Sequence, residues 1–391
     1  MCARPLGVFE VDVYALPTVH HAVISTILRH DSKQTSYKIA LLRSLNDVVL
    51  AYPDVGLGER GVAVPLRMLA EAWVAYYWPF MDTDAPVPQG IPSLLRGRAR
   101  QDVAFRAQLS ELRRVWEAVY GPSGPAGGWH LVEQLRLART RAAYPPELLR
   151  LYARTLRAVA TAMRQPLRYA GPGEWSVFAP PRPLRELGAV QPLPGATPAD
   201  VCVVVAPDLW RAFRDVSLWV EALCIHEWSQ FTERVSGTTR GEAYALLTER
   251  PDNRLPLDWE RNQVDLLMLE GAAFACPWTG TRLARGRYDL DHIVPVAVYP
   301  FHELWNLVPS QPAFNRNTKR ARLPSDDAML AATPRLVATY QRYAGSDALA
   351  SALLADVAVR FSRRDARPDV VAASVRSLVS SIGAARNVAR F

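Results

Sequence analysis

The 391-residue chain has little lysine, few cysteines and no long apolar run. Lys33, Lys38 and Lys319 are its lysines, so arginine supplies nearly all of the 46 basic residues. The four cysteines are far apart and form no CxxC pair, which argues against a zinc knuckle or a disulfide framework. Acids and prolines interrupt the opening "MCARPLGVFEVDVYALP", where a secretory signal needs unbroken apolar residues. We therefore predict a cytoplasmic protein that does not enter a membrane.

The overall composition is that of a folded protein, with 49% hydrophobic and 21% charged residues. The net charge is +8 and the pI is about 9.5. Such a balance favours a polyanionic partner, and nucleic acid is the first class to consider.

Apolar spacing predicts a mainly helical α+β protein. Ile39, Leu42, Leu45 and Val49 recur at helical spacing, whereas "FEVDVYAL" near the start and "VCVVVA" (201–206) are typical of strands. We predict four regions, listed here in chain order: a mainly helical regulatory or recognition region (1–195), a connecting region with a strand and a helix (196–265), a compact module (266–330) and a helical C-terminal extension (331–391).

The compact module contains the residues that point to chemistry. "YDLDHIVP" (288–295) places Asp291 and His292 side by side at the end of a predicted strand. "LWNLVP" (304–309) predicts a second strand, and "SQPAFNRNTKRARLP" (310–324) predicts a short helix with a proline in its first turn. With Asn306 and Asn315, these residues supply oxygen ligands for a hard cation and a base that titrates near neutrality. Hydrolysis of a phosphodiester needs both.

The same helix carries positive charge. Asn315, Lys319 and Arg322 stand at i, i+4 and i+7, so a regular helix would project them from one face. That face could meet a nucleic-acid backbone, and we expect Arg316, Arg320 and Arg322 to bind nucleic acid.

In order and spacing, these residues resemble the HNH (ββα-metal) endonuclease module, and closely the version found in RNA-guided CRISPR nucleases. His292 precedes Asn306 by 14 residues (306 − 292) and Asn315 by 23 (315 − 292). The resemblance covers about residues 270–330 only. It implies an HNH module embedded near the C-terminal end of a mainly helical protein.

The resemblance also implies a role for each residue. Asp291 and Asn315 would bind Mg²⁺ or Mn²⁺, and His292 would be the general base. Asn306 would tie the two strands together, and Lys319 would contact phosphate or help to stabilise the transition state.

Some features of the module depart from the resemblance or leave a choice open. Lys319 follows Asn315 by four residues where three are usual, and Asn317 is the substitute for Asn315 as metal ligand. Neighbours on a regular strand face opposite ways, so Asp291 and His292 can serve one ion only if the strand ends or twists there. Cys276 lacks the partners of a zinc brace and is expected to be a buried apolar residue.

The resulting hypothesis is a metal-dependent endonuclease that hydrolyses DNA. Two alternatives remain open, namely an inactive nucleic-acid-binding or assembly subunit and an RNA nuclease. The preceding 260 residues are expected to select the target or a partner protein. The combination of an HNH module with an unfamiliar region is similar in architecture to bacterial restriction or anti-phage defence effectors.

Overall fold

The computed structural model describes residues 18–95, 98–100, 102–171, 176–249, 257–296, 298–299, 302–386 and 388–391. Helices dominate, and the sheets are small, which confirms the predicted mainly helical α+β class. The predicted opening strand at residues 9–16 lies outside the described residues. Within the described residues, no helix is both long and apolar enough to cross a bilayer.

Ten helices and six short strands are described before residue 250. The helices are α1 (Thr18–Arg29), α2 (Tyr37–Ala51), α3 (Leu66–Tyr77), α4 (Arg106–Tyr120), α5 (Gly127–Arg136), α6 (Ala138–Arg141), α7 (Pro146–Tyr169), α8 (Pro207–Asp215), α9 (Ser217–Ser236) and α10 (Arg240–Thr248). The strands are β1 (Val62–Pro65), β2 (Ser93–Leu95), β3 (Arg98–Arg100), β4 (Arg182–Pro183), β5 (Gln191–Pro192) and β6 (Val201–Val205).

The apolar side chains of these elements form one core, which runs from Ile24 to Leu247. Strand β1 is an inner strand of the four-stranded sheet in this core, where it runs antiparallel to β6 and parallel to β5. Residues on both sides of the predicted division near 195 therefore pack into the same core. The predicted connecting region contributes β6, α8, α9 and α10 to it.

Local sequence chemistry fixes the turn between α9 and α10. Gly237 ends α9 in the left-handed conformation, with φ of 73°, which glycine adopts without steric cost. Thr239 and Glu242 then form a capping box that satisfies free N–H groups at the start of α10.

A second core runs from Val264 to Ile382. Its elements are α11 (Asp258–Leu269), β7 (Asp289–His292), β8 (Leu307–Ser310), α12 (Pro312–Phe314), α13 (Asp326–Ala344), α14 (Asp347–Phe361) and α15 (Pro368–Arg386). Tyr340 and Tyr343 on α13 donate hydrogen bonds to the carbonyl oxygens of Trp305 and Leu307, at 2.6 and 3.0 Å. The predicted C-terminal extension thus packs directly on the hairpin of β7 and β8.

Buried ion pairs join the two cores. Arg139, on α6, lies 3.1 Å from Glu260 on α11 and 2.7 Å from Asp356 on α14. Arg360 on α14 pairs with Asp54 at 2.9 Å and stacks over the ring of Tyr52. Since these side chains are largely withdrawn from water, the ion pairs fix how the two cores dock.

Candidate functional site

The candidate site lies on the hairpin of β7 and β8 and the helical turn that follows. The strands are antiparallel, with Asp291 opposite Val308 and His292 opposite Leu307. After β8 the chain enters α12 and then one π-helical turn, Asn315–Lys319, which is closed by a bond from Arg320 N to Asn315 O. The predicted order of strand, strand and short helix is confirmed.

One face of β7 carries two carboxylates. Asp289 and Asp291 are two residues apart on a strand, so their side chains share a face, and that face meets the π turn. The amide nitrogen of Asn315 donates to Asp289 Oδ2 at 3.2 Å, and Arg316 pairs with Asp289 at 2.8 Å. Asn315 is therefore placed at Asp289, next to Asp291 along the strand.

Lys319 is buried against the second carboxylate. Its Nζ lies 3.1 Å from Asp291 Oδ1, and both side chains are withdrawn from solvent, with 1% and 7% exposed. Burial raises the pKa of Asp291 to about 6, although Lys319 opposes that shift. The other oxygen, Oδ2, is buried without a well-formed hydrogen bond. Asn315 and Lys319 stand four residues apart in the π turn, and both side chains contact β7.

His292 lies at the end of β7 and makes its contact away from the carboxylates. Its Nε2 is 2.6 Å from Nδ1 of His302, and the ring is buried. Burial lowers the pKa of His292 well below its ordinary value, so the imidazole is neutral at physiological pH. His302 Nε2 lies 3.0 Å from Glu133 Oε1 on α5. His302 is itself buried, because this contact with the first core covers it.

Asn306 holds the chain immediately after His292. Its side chain accepts a hydrogen bond from Val294 N at 2.7 Å and donates one to Val294 O at 3.0 Å. Its own carbonyl accepts from Ile293 N at 2.8 Å. Asn306 is fully buried, so these bonds are shielded from water. Together they fix the backbone directly after His292, where β7 ends.

Two regions of the chain match known families. Residues 17–247 match a family described as a domain of unknown function (DUF8808), and that match spans more than half of the chain. The chain belongs to the DUF8808 family. Residues 276–325 match the HNH endonuclease family, which confirms the predicted resemblance. No curated protein and no solved structure matches the chain.

The family boundaries agree with the two cores. The DUF8808 match spans the first core, and the HNH match contains the hairpin and the π turn. Arg139 and Glu133 belong to the DUF8808 domain, so that domain contacts the HNH module at His302. An HNH module indicates a nuclease that acts on nucleic acid.

The donor set of the HNH module suits a hard cation in part. Among the described residues, no group of three or more His, Cys, Asp or Glu side chains could surround an ion. Asp291 Oδ2 is nevertheless a buried oxygen without a well-formed hydrogen bond, and the side chain of Asn315 contacts the neighbouring carboxylate of Asp289. Carboxylate and amide oxygens are ligands that Mg²⁺ and Mn²⁺ accept. The residues present thus fit such an ion once the ammonium group of Lys319 moves away from the carboxylate of Asp291.

The three arginines predicted to bind nucleic acid differ in their surroundings. Arg316 is exposed but paired with Asp289, and Arg320 is exposed with φ of 50°. Arg322 follows the end of the π turn and donates to the carbonyl of Thr318. Because Asn315 and Lys319 turn toward β7, they do not share one solvent face with Arg322.

Sequence reasoning missed three residues of the site, namely Asp289, His302 and Glu133. Asp289 carried a usable signal, because a residue two positions before Asp291 on a strand shares its face. His302 and Glu133 carried none, since their contact joins the HNH module to the DUF8808 domain. Asn317, the alternative to Asn315, is exposed, whereas Asn315 donates to Asp289.

Cys276 lies at the start of the segment that matches the HNH family. This thiol is free and fully buried within the second core. Its backbone N–H donates to Thr281 O at 2.8 Å, and Gly280 N donates back to its carbonyl at 2.9 Å. Backbone hydrogen bonds and apolar packing therefore hold this turn, and the expected burial of Cys276 is confirmed.

Proposed function

We propose that this protein is a Mg²⁺- or Mn²⁺-dependent endonuclease that hydrolyses DNA phosphodiester bonds. One observation carries the proposal. A neutral, buried imidazole, His292, adjoins a buried carboxylate, Asp291, on the hairpin of an HNH module. A neutral imidazole can accept a proton, and a carboxylate can hold a cation, so both requirements of the hydrolysis are present.

His292 would act as the general base. Its Nε2 is engaged by His302, so Nδ1 is the nitrogen that remains to take a proton from the attacking water. The hydrogen bonds of Asn306 to Val294 keep the ring in place during that transfer. A bound divalent ion, held by Asp291 and Asn315, would shield the phosphate charge and stabilise the leaving 3′ oxygen.

Lys319 would respond to the phosphate. In the structure its ammonium neutralises Asp291. When substrate and cation are bound, the same ammonium would be repelled from the carboxylate site and could contact a phosphate oxygen nearby. The phosphate backbone on either side of the cleaved bond would be bound by arginines within or just after the same turn, namely Arg316, Arg320 and Arg322.

One HNH module supplies one active centre, so a single protein would cut one strand. A double-strand break would need a second copy, a second encounter or a partner nuclease. The DUF8808 domain would select the target or a partner protein. A role in restriction or defence against phage rests on architecture alone, namely an HNH module joined to a large domain of another kind.

A second candidate function is a nucleic-acid-binding or assembly subunit without cleavage. The contact of Lys319 with Asp291 favours it, because a side-chain cation lies at the carboxylate that would bind the metal ion. The deciding experiment is a nicking assay on supercoiled plasmid with Mg²⁺ or Mn²⁺, with structured RNA as a parallel substrate.

His292→Ala is the test variant, and Thr318→Ala, at an exposed residue of the π turn, is the matched control. We expect a loss of about 100-fold or more in His292→Ala, the usual size of a general-base contribution. The control should cleave like the parent. Equal, absent cleavage by all three proteins on every substrate would favour the binding function, and cleavage of RNA alone would correct the substrate.

A further inference from the structure

A buried chain of three side chains crosses from the DUF8808 domain into the HNH module. Glu133 on α5 is 12% exposed, and its Oε1 lies 3.0 Å from His302 Nε2. On its other side, His302 Nδ1 lies 2.6 Å from His292 Nε2. The proposed general base is thus linked through one intermediate imidazole to a carboxylate of the other domain.

The chemistry of the three groups sets where the protons lie. Glu133 Oε1 is buried and makes no well-directed hydrogen bond, but its negative charge lies 3.0 Å from Nε2 of His302 and favours a proton on that nitrogen electrostatically. If His302 carries a single N–H, at Nε2, its Nδ1 is left as an acceptor. The atom facing it, Nε2 of His292, must then be the donor. Nδ1 of His292 is consequently unprotonated, which is the state that a general base at this nitrogen requires.

The docking of the two domains fixes the middle residue as well. Arg139 donates to the backbone carbonyl of His302 at 2.6 Å. The same guanidinium binds Asp356, which in turn accepts from Leu304 N at 2.8 Å. Residues on both sides of Glu303 are therefore clamped against the DUF8808 domain. The position of His302, and not only its tautomer, depends on that domain.

We propose that Glu133 and His302 are positioning residues for His292, so that the DUF8808 domain completes the catalytic centre of the HNH module. This inference rests on the proposed nuclease function. It assigns the DUF8808 domain a part in the chemical step in addition to target selection, because its carboxylate selects the reactive tautomer of His292.

The test substitutes Glu133→Gln, which keeps size but offers an amide that can donate as well as accept. Plasmid nicking is measured under single-turnover and steady-state conditions. We expect kcat to fall by about 10- to 100-fold, the usual effect of losing an outer hydrogen-bond partner, with little change in KM. Glu133→Asp retains the carboxylate and should recover part of the rate.

Asp54→Asn is the matched control. It removes a carboxylate from the same contact between the domains, where Asp54 pairs with Arg360 at 2.9 Å, but it does not touch His302. We expect its nicking rate to equal that of the parent. An equal loss in Asp54→Asn and Glu133→Gln would mean that general loosening of the domain contact causes the effect, and the positioning role would be rejected.

A second readout does not depend on cleavage. Histidine-selective ¹⁵N labelling reports the tautomer of each ring, and the His292→Ala spectrum assigns His292 among the seven histidines. The parent should show His292 with its proton on Nε2, and Glu133→Gln should shift it toward Nδ1. If the parent never nicks a substrate, the nuclease proposal fails while this spectrum still decides the positioning role.

Two further results would overturn the inference. One is an unchanged His292 tautomer in Glu133→Gln. The other is faster nicking by Glu133→Gln, which would show that the pair restrains His292 in an inactive orientation. If Glu133→Gln does not fold, as judged by its melting curve, the comparison of parent, Glu133→Asp and Asp54→Asn supplies the same decision, with an intermediate rate expected for Glu133→Asp.

Discussion

The two faces of strand β7 meet different parts of the chain. Asp289 and Asp291 face a helical turn of the same HNH module, where Arg316 and Lys319 neutralise them. His292 meets His302 and, through it, Glu133 of the DUF8808 domain. One face is completed by charges nearby in the sequence, and the other by a residue from a separate core.

The difference separates two tasks that an HNH site must perform. The carboxylate face controls where positive charge lies, and within the structure a lysine supplies that charge. Under the proposed mechanism, the imidazole face sets which nitrogen of His292 carries a proton. The cation site would then form within the module, whereas the orientation of the base would depend on domain docking.

The largest expected effect comes from removing the link between the domains. Arg139→Met keeps an apolar stem but leaves Glu260 and Asp356, both largely buried, without their cation. We expect the free energy of unfolding to fall by about 3–5 kcal/mol, because uncompensated buried charges are costly. Urea unfolding measures the change.

Arg150→Met is the matched control, since Arg150 forms an exposed pair with Glu147 on α7. It should leave the midpoint of unfolding nearly unchanged. If the free energy of unfolding falls no more in Arg139→Met than in the control, the contacts of Arg139 contribute nothing to docking. The contrast between the two faces of β7 would then lose its structural basis.

The next effect concerns the carboxylate face. Lys319→Met leaves Asp291 buried without a cation, and we expect a loss of about 3 kcal/mol at pH 8. The loss should shrink toward pH 5. The pKa of Asp291 is already raised to about 6 in the parent and rises further without Lys319, so lowering the pH protonates the carboxyl group and relieves the cost.

Melting curves recorded with Mg²⁺ test whether Asp291 is the metal ligand. If Asp291 is the ligand, Mg²⁺ replaces the missing ammonium and should raise the melting temperature of Lys319→Met more than that of the parent. Arg316→Met is the control, because Arg316 is exposed and pairs with Asp289 instead. Equal magnesium shifts in all three proteins would remove Asp291 from the metal site.

The smallest effect lies at the point where the two faces meet. Asn306→Ala removes both side-chain hydrogen bonds to Val294 and leaves two buried backbone groups without partners. We expect a loss of about 2 kcal/mol and faster hydrogen exchange at the amide of Val294. Slow exchange retained at that amide in Asn306→Ala would contradict the role of Asn306 in ending the strand.

The hairpin could be predicted from sequence because its signals are local. Strand patterns, Pro295 and Pro312 set the limits of β7, β8 and the following turn, and the spacing of His292, Asn306 and Asn315 identified the HNH module. The mainly helical class followed in the same way from apolar spacing. These features depend on residues within one or two elements of each other.

Other features depend on contacts that no local pattern encodes. Helical spacing groups Asn315 with Lys319, but it does not show that their common face meets the carboxylates of β7 instead of solvent. Strand β6 pairs with β1 across more than a hundred residues, so composition near residue 195 gave no indication of a shared core. The contact of His302 with Glu133 arises only once both cores have formed and docked.

The guanidinium of Arg139 has a consequence for how such proteins can be recombined. It pairs with Glu260 on α11 and with Asp356 on α14, and it donates to the backbone carbonyl of His302. If the whole second core were transplanted, Glu260 and Asp356 would reach a new host without their counter-charge. Exchange of the second core between proteins of this architecture would therefore succeed only where the host has an arginine at the position of Arg139. Otherwise both acidic residues would have to be replaced together.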